Sequence, residues 1–380
     1  MVGVFCTHPK RQFGYIMKRI LYIGGFEMPD KNAAAQRVLS IAKAMRDLGY
    51  ETFFYGISQS NDFKGTVDGF HYEAYPHPKG TAEWFKYALG WGVIDYIKQK
   101  SPDYVFLYNY PAVAQERVIP YCKRHGIKTV GDITEWYRPT SLPKRIDTWY
   151  RMRISNWHLD GIIAISRYLA NYYEGKTLIQ LPPLVDKQEE KWHIQPTEYD
   201  DERIRLVYIG TGSVKDRLDK IIEGVYQSGA NRFHLDVIGI NKEQFCEIYQ
   251  QKVREEIDVV FHGRLQHQEA LRYLMSADFQ IFFRDNIRVN NAGFPTKFVE
   301  SMSAGIPVIT NRISNIGDYI NNGINSFMIE HPEEGEIGEV LKRVSNLSKS
   351  EINSIKKNCL INEFDYRNYC GSIGAFIKGL

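Results

Sequence analysis

The chain has 380 residues, 48 Lys and Arg against 45 Asp and Glu, a formal charge of +3, and 43% apolar and 24% charged residues. That length exceeds the ~250–300 residues at which a single hydrophobic core stops growing, so two domains are expected. The near-neutral balance excludes a global nucleic-acid-binding surface and leaves basic patches to be read locally.

Residues 1–16 lack the apolar core of a signal peptide, and "MKRILYIGG" from Met17 reads as a natural start, so 1–17 is expected to be an extension. "RILYIGGF" (19–26) is a buried strand running into a glycine loop. "AAAQRVLSIAKAMRDLGYE" follows, with Val38, Ile41, Ala42, Met45 and Leu48 at helical spacing and Gly49 as the stop, and "ETFFYGI" opens the next strand. Strand, glycine turn, helix and strand in that order make a βαβ unit. The alternation continues through a helix near 82–99, strand "DYVFLY", a helix near 112–125, strand "IKTVGDI", and strand "GIIAI" with Ser166 capping "RYLANYY". From "LPPLVD" the text turns Pro-rich and aperiodic, which makes 186–203 the linker between a domain at 18–185 and one at 204–358. The pattern restarts with "RIRLVYIG", "KDRLDKIIEGVYQSG" and "FHLDVIGI" and runs to "IPVIT" and "NSFMI". A helical tail, 359–380, closes the chain and is free on sequence alone to pack on either domain. The expected fold is α/β, two Rossmann-like doubly wound domains with a cleft between them. No run approaches the ~18 apolar residues of a membrane span. The five cysteines (Cys6, Cys122, Cys246, Cys359, Cys370) are scattered with no C-x-x-C pair, which disfavours disulfides and zinc and points to a reducing cytoplasm.

In open parallel sheets ligands sit beyond the carboxyl ends of strands, so the informative residues follow strands. Gly24 and Gly25 would let the backbone approach a ligand, with Arg37 early in the next helix. A tight turn explains the glycines equally well. "GTGSVKD" (210–216) is a small-residue loop whose Lys215 is placed to meet a diphosphate; it lacks the third glycine of a dinucleotide fingerprint. In "NNAGFPTKFVESMSAGIPVITN" (290–311), Pro295 suits the first helical position, Gly305 the stop, and Phe298, Val299 and Met302 the buried face. Lys297 and Glu300 then lie one turn apart. They read either as a surface ion pair or as a cation facing phosphates beside a carboxylate accepting from sugar hydroxyls. "GDITEWY" (131–137) places Asp132 and Glu135 beside Trp136, which suits a sugar site or an ordinary turn. "PKRIDTWYRMRISNW", with Lys144, Arg145, Arg151 and Arg153, reads first as a solvated helix face and second as a face touching a membrane or a lipid-linked phosphate.

Three stretches resemble the family 4 retaining glycosyltransferases of the GT-B fold: "AAAQRVLSIAKAMRDLGYETFFYG", "YIGTGSVKDRLDKIIEGV", and "FHGRLQHQEALRYLMSADFQIFF" followed by "AGFPTKFVESMSAGIPVITN". The resemblance covers roughly residues 18–375. It implies an acceptor site in the first domain, with Arg37 and Trp136 as contacts, and a nucleotide-diphosphate sugar on the second, with the last helix crossing back. It also implies that Lys215 neutralises the diphosphate, that Gly24 and Gly25 lie near the donor phosphates, that Gly210 and the stretch Asn291–Gly293 line the donor site, and that Glu300 is the second Glu of the family's E-x7-E motif, binding the ribose. Ser166 matches a helix start common in the family. This chain departs from the pattern in three places. Ala292 stands where the first Glu of the motif belongs, so backbone groups or Asn290 and Asn291 must meet the sugar hydroxyls. Thr211 stands where an Arg is often found, leaving Arg264, Arg284 or Lys297 to supply the cation. The acceptor-domain His is missing where "GDITEW" is read.

No D-x-D occurs, so no metal or other cofactor is expected, and retention in this family needs no enzyme nucleophile. Asp132 or Glu135 is the candidate group assisting the acceptor hydroxyl. The expected enzyme transfers sugar to a saccharide or lipid-linked acceptor in surface polysaccharide or glycolipid synthesis. It would be cytoplasmic, with peripheral contact at the inner face of the membrane, and would have no nucleic-acid partner. Alternatives are a nucleotide-sugar epimerase of the same fold and a non-catalytic sugar-nucleotide- or glycan-binding subunit.

Overall fold

Residues 17–29, 32–60 and 63–380 are described by the structure, a computed structural model, so the extension expected over 1–16 lies outside the described residues. The first sheet contains β1 (Arg19–Gly24), β2 (Glu51–Ser58), β3 (Lys64–Val67), β4 (Phe70–Pro76), β5 (Tyr104–Tyr108), β6 (Lys128–Ile133), β7 (Gly161–Ala164) and β8 (Thr177–Gln180), in the order β3-β4-β2-β1-β5-β6-β7-β8. Every neighbouring pair is parallel except β3 with β4. Around it lie α1 (Ala33–Asp47), α2 (Thr81–Ala88), α3 (Val93–Lys100), α4 (Ala112–Arg124), α5 (Leu142–Arg153) and α6 (Arg167–Tyr172). Central strands are buried on both faces because the crossover helices cover them, as β1 shows with all but its first residue enclosed.

The second sheet, all parallel, contains β9 (Ile204–Ile209), β10 (Phe233–Ile238), β11 (Val259–Gly263), β12 (Phe279–Ile281), β13 (Val308–Asn311) and β14 (Phe327–Ile329), in the order β11-β10-β9-β12-β13-β14. Its helices are α7 (Leu218–Gln227), α8 (Lys242–Tyr249), α9 (His267–Ser276), α10 (Arg288–Ala292), α11 (Thr296–Ser303), α12 (Glu334–Ser345) and α13 (Lys349–Lys357). The last helix, α14 (Cys370–Lys378), packs on α1 and β8 of the first domain, and Tyr366 just before it donates to Asp47 across 3.1 Å. In each sheet the connections reverse direction beside the first strand, between β1 and β5 and between β9 and β12. A crevice for ligands opens at such a switch point.

Two local readings differ from the sequence expectation. The helix expected over 82–99 is split into α2 and α3, because Gly90 and Gly92 adopt left-handed φ values of 62° and 78°. The β3–β4 hairpin was not expected at all; its turn is Asp68-Gly69, both at positive φ, the dipeptide that favours such turns. The domains meet through one apolar cluster holding Ile165 and Leu169 of the first together with Ala292 and Phe294 of the second.

Candidate active site

The second domain's contribution starts at the end of β9. Gly210 has no room for a side chain, since a Cβ would lie 2.6 Å from Tyr208 Oη and 2.9 Å from Asp216 Oδ2. The loop therefore turns tightly and folds Asp216 back beneath it. Tyr208 Oη and Lys297 Nζ donate to Asp216 Oδ2 at 2.9 and 2.8 Å, and Arg284 Nε donates to Oδ1 at 2.8 Å. Burial alone would raise the Asp216 pKa, but Lys297 and Arg284 outweigh it and hold the carboxylate well below its usual range. Burial lowers Lys297 to about 8 despite Asp216, with Arg284 and Lys215 adding to the shift. Lys215 is lowered as well, by desolvation first and then by Arg284. Three cations thus share one carboxylate, and the surplus positive charge has no protein partner to neutralise it.

That surplus faces a pocket of about 100 Å³ between the domains, lined among others by Lys215, Arg284, Asn290, Gly293 and Thr296 of the second domain and Glu135 of the first. Thr296 opens α11, so the unpaired N–H groups of a helix start border the same space. Of the three candidate replacement cations, the structure brings Arg284 to the pocket. Lys297 sits behind Asp216, and Arg264 lies exposed after β11, outside this lining. Thr211 is likewise exposed in its loop and Asn291 turns away, accepting from Ser314 N at 2.8 Å and donating to Asn286 at 2.6 Å.

Lys297 and Glu300 do not form the surface ion pair that their spacing allows. Lys297 goes to Asp216, and Glu300 Oε1 meets His267 Nε2 at 3.2 Å. Glu300 lines a second small space, about 20 Å³, against Gln36 and Ser40 of α1. From Thr296 to Glu300 is one turn, a rise of ~6 Å, so α11 spans from the cationic pocket to this one. Pro295 precedes the first helical residue rather than occupying it, and Gly305 ends the segment at φ 76°.

Ala292 is fully buried, and its carbonyl accepts from Ser166 Oγ at 2.7 Å. Its side chain thus packs where the family motif places a carboxylate. Two residues earlier, Asn290 is 4% exposed, lines the cationic pocket, and donates from Nδ2 to Asp285 O at 2.8 Å. Its Oδ1 is buried without a hydrogen-bond partner. A buried acceptor left open in this way is ready for a ligand hydroxyl.

On the first domain the two candidate carboxylates part company. Asp132 is 0% exposed, taking Tyr22 Oη at 2.5 Å and Arg37 at 2.8 Å from Nη2 and 3.0 Å from Nε. It has no path to an acceptor hydroxyl, which corrects the expectation that it assists one. Arg37 is corrected with it. Besides Asp132, its guanidinium donates to the carbonyls of Leu181 and Pro182 at 3.1 and 3.2 Å, so it braces the fold beneath the pocket instead of binding acceptor. Glu135 is exposed and faces Lys215 across the pocket. Trp136 packs against Tyr172 with ring centroids 4.7 Å apart, and Arg288 stacks over its other side at 4.8 Å. Gly24 and Gly25 are not brought to the cationic pocket; Gly24 is small because a Cβ would lie 2.5 Å from Tyr108 O. Arg151, in the basic run, is buried and donates to Asn109 O at 2.6 Å, so it belongs to the core and not to a contact face.

Asp216 and Tyr208 were missed as site residues. The signal available was a repeat: both domains end their first strand on Tyr-Ile-Gly, at 22–24 and 208–210. Among the described residues no group of three or more His, Cys, Asp or Glu is arranged to hold a metal, and no helix is long and apolar enough to cross a membrane.

Residues 188–358 match the family model described as glycosyl transferases group 1. No curated protein matches the chain. Among solved structures, the chain is similar to sucrose-phosphate synthase from Thermosynechococcus elongatus at 11% identity and TM-score 0.68, covering 95% of this chain and 98% of that one. It is similar to HepE (Alr3699) of Anabaena, in complex with UDP and glucose, at 14% identity and TM-score 0.70, covering 96% and 100%. WaaG, a glycosyltransferase involved in lipopolysaccharide biosynthesis, aligns at 13% identity and TM-score 0.58, covering 93% and 95%. The two-sheet architecture is thus the GT-B fold, as the sequence resemblance implies.

Proposed function

We propose, from a chain whose fold is GT-B and whose residues 188–358 match the glycosyl transferases group 1 family, that it is a retaining glycosyltransferase using a nucleotide-diphosphate sugar. The observation that carries this reading is the surplus of positive charge at Lys215 and Arg284, facing Glu135 across the domain cleft. A diphosphate at those cations and at the start of α11 would run toward Glu300, which would accept from the ribose hydroxyls one turn further on. Asn290 Oδ1 would take a sugar hydroxyl in place of the missing Glu at Ala292. HepE's complex holds UDP and glucose, which makes UDP-glucose the first donor to test.

In the reaction, the acceptor hydroxyl oxygen bonds to the anomeric carbon on the face from which the diphosphate departs. The carbon–oxygen bond to the phosphate breaks, and its electron pair leaves on the diphosphate. The acceptor proton passes to the departing diphosphate or to Glu135. Lys215, Arg284 and the helix N–H groups stabilise the charge that develops, with no metal required of them. The existing spaces of about 100 and 20 Å³ fall below the ~300 Å³ of an ordinary ligand pocket, so the domains must part to admit the donor. The acceptor is a saccharide or lipid-linked glycan of surface polysaccharide or glycolipid synthesis.

The test is thermal denaturation with and without UDP, where a ligand at 100 times its Kd adds roughly 2.7 kcal/mol of stability. UDP-glucose with an acceptor panel then gives glycoside of retained configuration. An isomerised donor without acceptor would point to an epimerase, and binding with neither transfer nor hydrolysis to a non-catalytic subunit.

A further inference from the structure

We propose that the acceptor is an anionic amphiphile, a glycan joined through phosphate to a hydrocarbon chain, and that α5 divides its binding site between the phosphate and the hydrocarbon. This rests on the glycosyltransferase reading above. Three spaces run on from one another. The cationic pocket between the domains includes Glu135 and Val289, and a larger pocket of about 750 Å³ begins at their chain neighbours Trp136 and Arg288. A third, about 550 Å³, shares Leu142 and Ile146 of α5 with the second. A ligand whose reacting end lies by Glu135 would therefore cross the second pocket and end in the third.

The chemistry changes along that path. Arg138, Arg145, Arg153 and Arg288 line the middle pocket with no carboxylate among its lining residues. None of the four has a carboxylate partner among the described residues, although 28 carboxylate–cation pairs hold other charges. A neutral glycan would not draw four arginines together; a phosphate or diphosphate matches their planar donors. The third pocket is apolar, walled by Trp84, Phe85 and Val113 as well as Leu142 and Ile146. Leu142 and Ile146, one turn apart on α5, are 65% and 57% exposed, an outward apolar face that water does not favour and a hydrocarbon would cover. Both arginines and apolar side chains line concave spaces leading from the site, which favours a bound acceptor over a bilayer surface.

Farnesyl diphosphate, a short soluble prenyl diphosphate, is the probe. Its affinity for the full chain is measured by tryptophan fluorescence with saturating UDP present, beside farnesol and inorganic diphosphate. Farnesyl diphosphate is expected to bind at least tenfold more tightly than either fragment. Arg145→Ala with Arg153→Ala should weaken it tenfold or more. Ile146→Ser should weaken farnesyl diphosphate but leave inorganic diphosphate unchanged. All variants should keep the UDP stabilisation of the wild type, which shows that they fold. The proposal is overturned if farnesyl diphosphate binds no better than inorganic diphosphate, if UDP displaces it, or if the substitutions leave its affinity unchanged. It is also overturned if they abolish only binding to phosphatidylglycerol vesicles, which would make this face a membrane dock. Absence of UDP stabilisation in the wild type would strike the transferase reading, whereas the farnesyl diphosphate series judges the pocket.

Discussion

Tyr22 of β1 and Tyr208 of β9 occupy matching places in the two halves of the molecule, and each donates its hydroxyl to a buried aspartate, Asp132 or Asp216. In the first domain the aspartate meets one arginine, the charges balance, and both groups are sealed from solvent. In the second, Asp216 holds Lys297 and Arg284 while Lys215 stands beside them, so the same motif leaves positive charge in excess at the rim of a pocket. A balanced buried pair is a structural brace; an unbalanced cluster at a cleft is prepared for an anion. The comparison shows that count and access, not the presence of a buried ion pair, separate scaffold from site.

The largest expected effect breaks the brace. Arg37→Ala leaves Asp132 charged and unpaired in the core, and should cost ~3–5 kcal/mol of stability in denaturant unfolding. The fraction that remains folded should transfer sugar with an unchanged pH profile. Next, Lys215→Ala or Arg284→Ala should lower kcat by ~100-fold or more, the size seen when a preorganised charge partner is removed, with unfolding little altered. If instead Arg37→Ala altered the kcat pH profile and Arg284→Ala spared the rate, the division between the two sites would be reversed.

A finer prediction uses pH. Lys297, at about 8, loses its proton above that value, Asp216 is then satisfied by Arg284 alone, and less positive charge remains for a phosphate. UDP affinity should fall severalfold between pH 7 and 9.5, and Lys297→Arg, which stays charged, should flatten that fall. The linkage to stability runs the other way. Because Lys297 is depressed from 10.5 on folding, the unfolded chain binds more protons between about pH 8 and 10.5, so this group's contribution rises with pH across that window. The smallest expected effect is at the sugar. Asn290→Ala should raise KM for the donor by a few-fold to tenfold while UDP binding is unchanged, because only a hydroxyl contact is lost.

Much of the fold was legible because its signals are local. The helix after β1 and its glycine stop were read from spacing, and so was the second domain's restart at Arg203, since periodicity and breakers act within a few residues. The split at Gly90 and Gly92 was overlooked because a glycine within an otherwise helical stretch can be tolerated, and only the left-handed backbone distinguishes a break. The site was half legible. Lys215 and Glu135 stand in loops after strands, where the rule for parallel sheets directs attention. What could not be read were pairings made across distance: Arg37 meets Asp132 from 95 residues away, and Lys297 meets Asp216 from 81. From sequence, Asp132 beside Trp136 looked as available as Glu135. The side chains of a strand's last residues alternate between faces, and only the packed structure tells which face is sealed.

The central claim, that the second domain's excess charge receives a nucleotide diphosphate, is tested most directly by isothermal titration of UDP. The wild type is compared with Arg284→Ala, Lys215→Ala and Arg37→Lys. The account predicts that UDP binds the wild type, that either second-domain substitution weakens it tenfold or more, and that Arg37→Lys leaves it within twofold. UDP binding untouched by the loss of Lys215 and Arg284, or lost with Arg37→Lys in a folded protein, would contradict it.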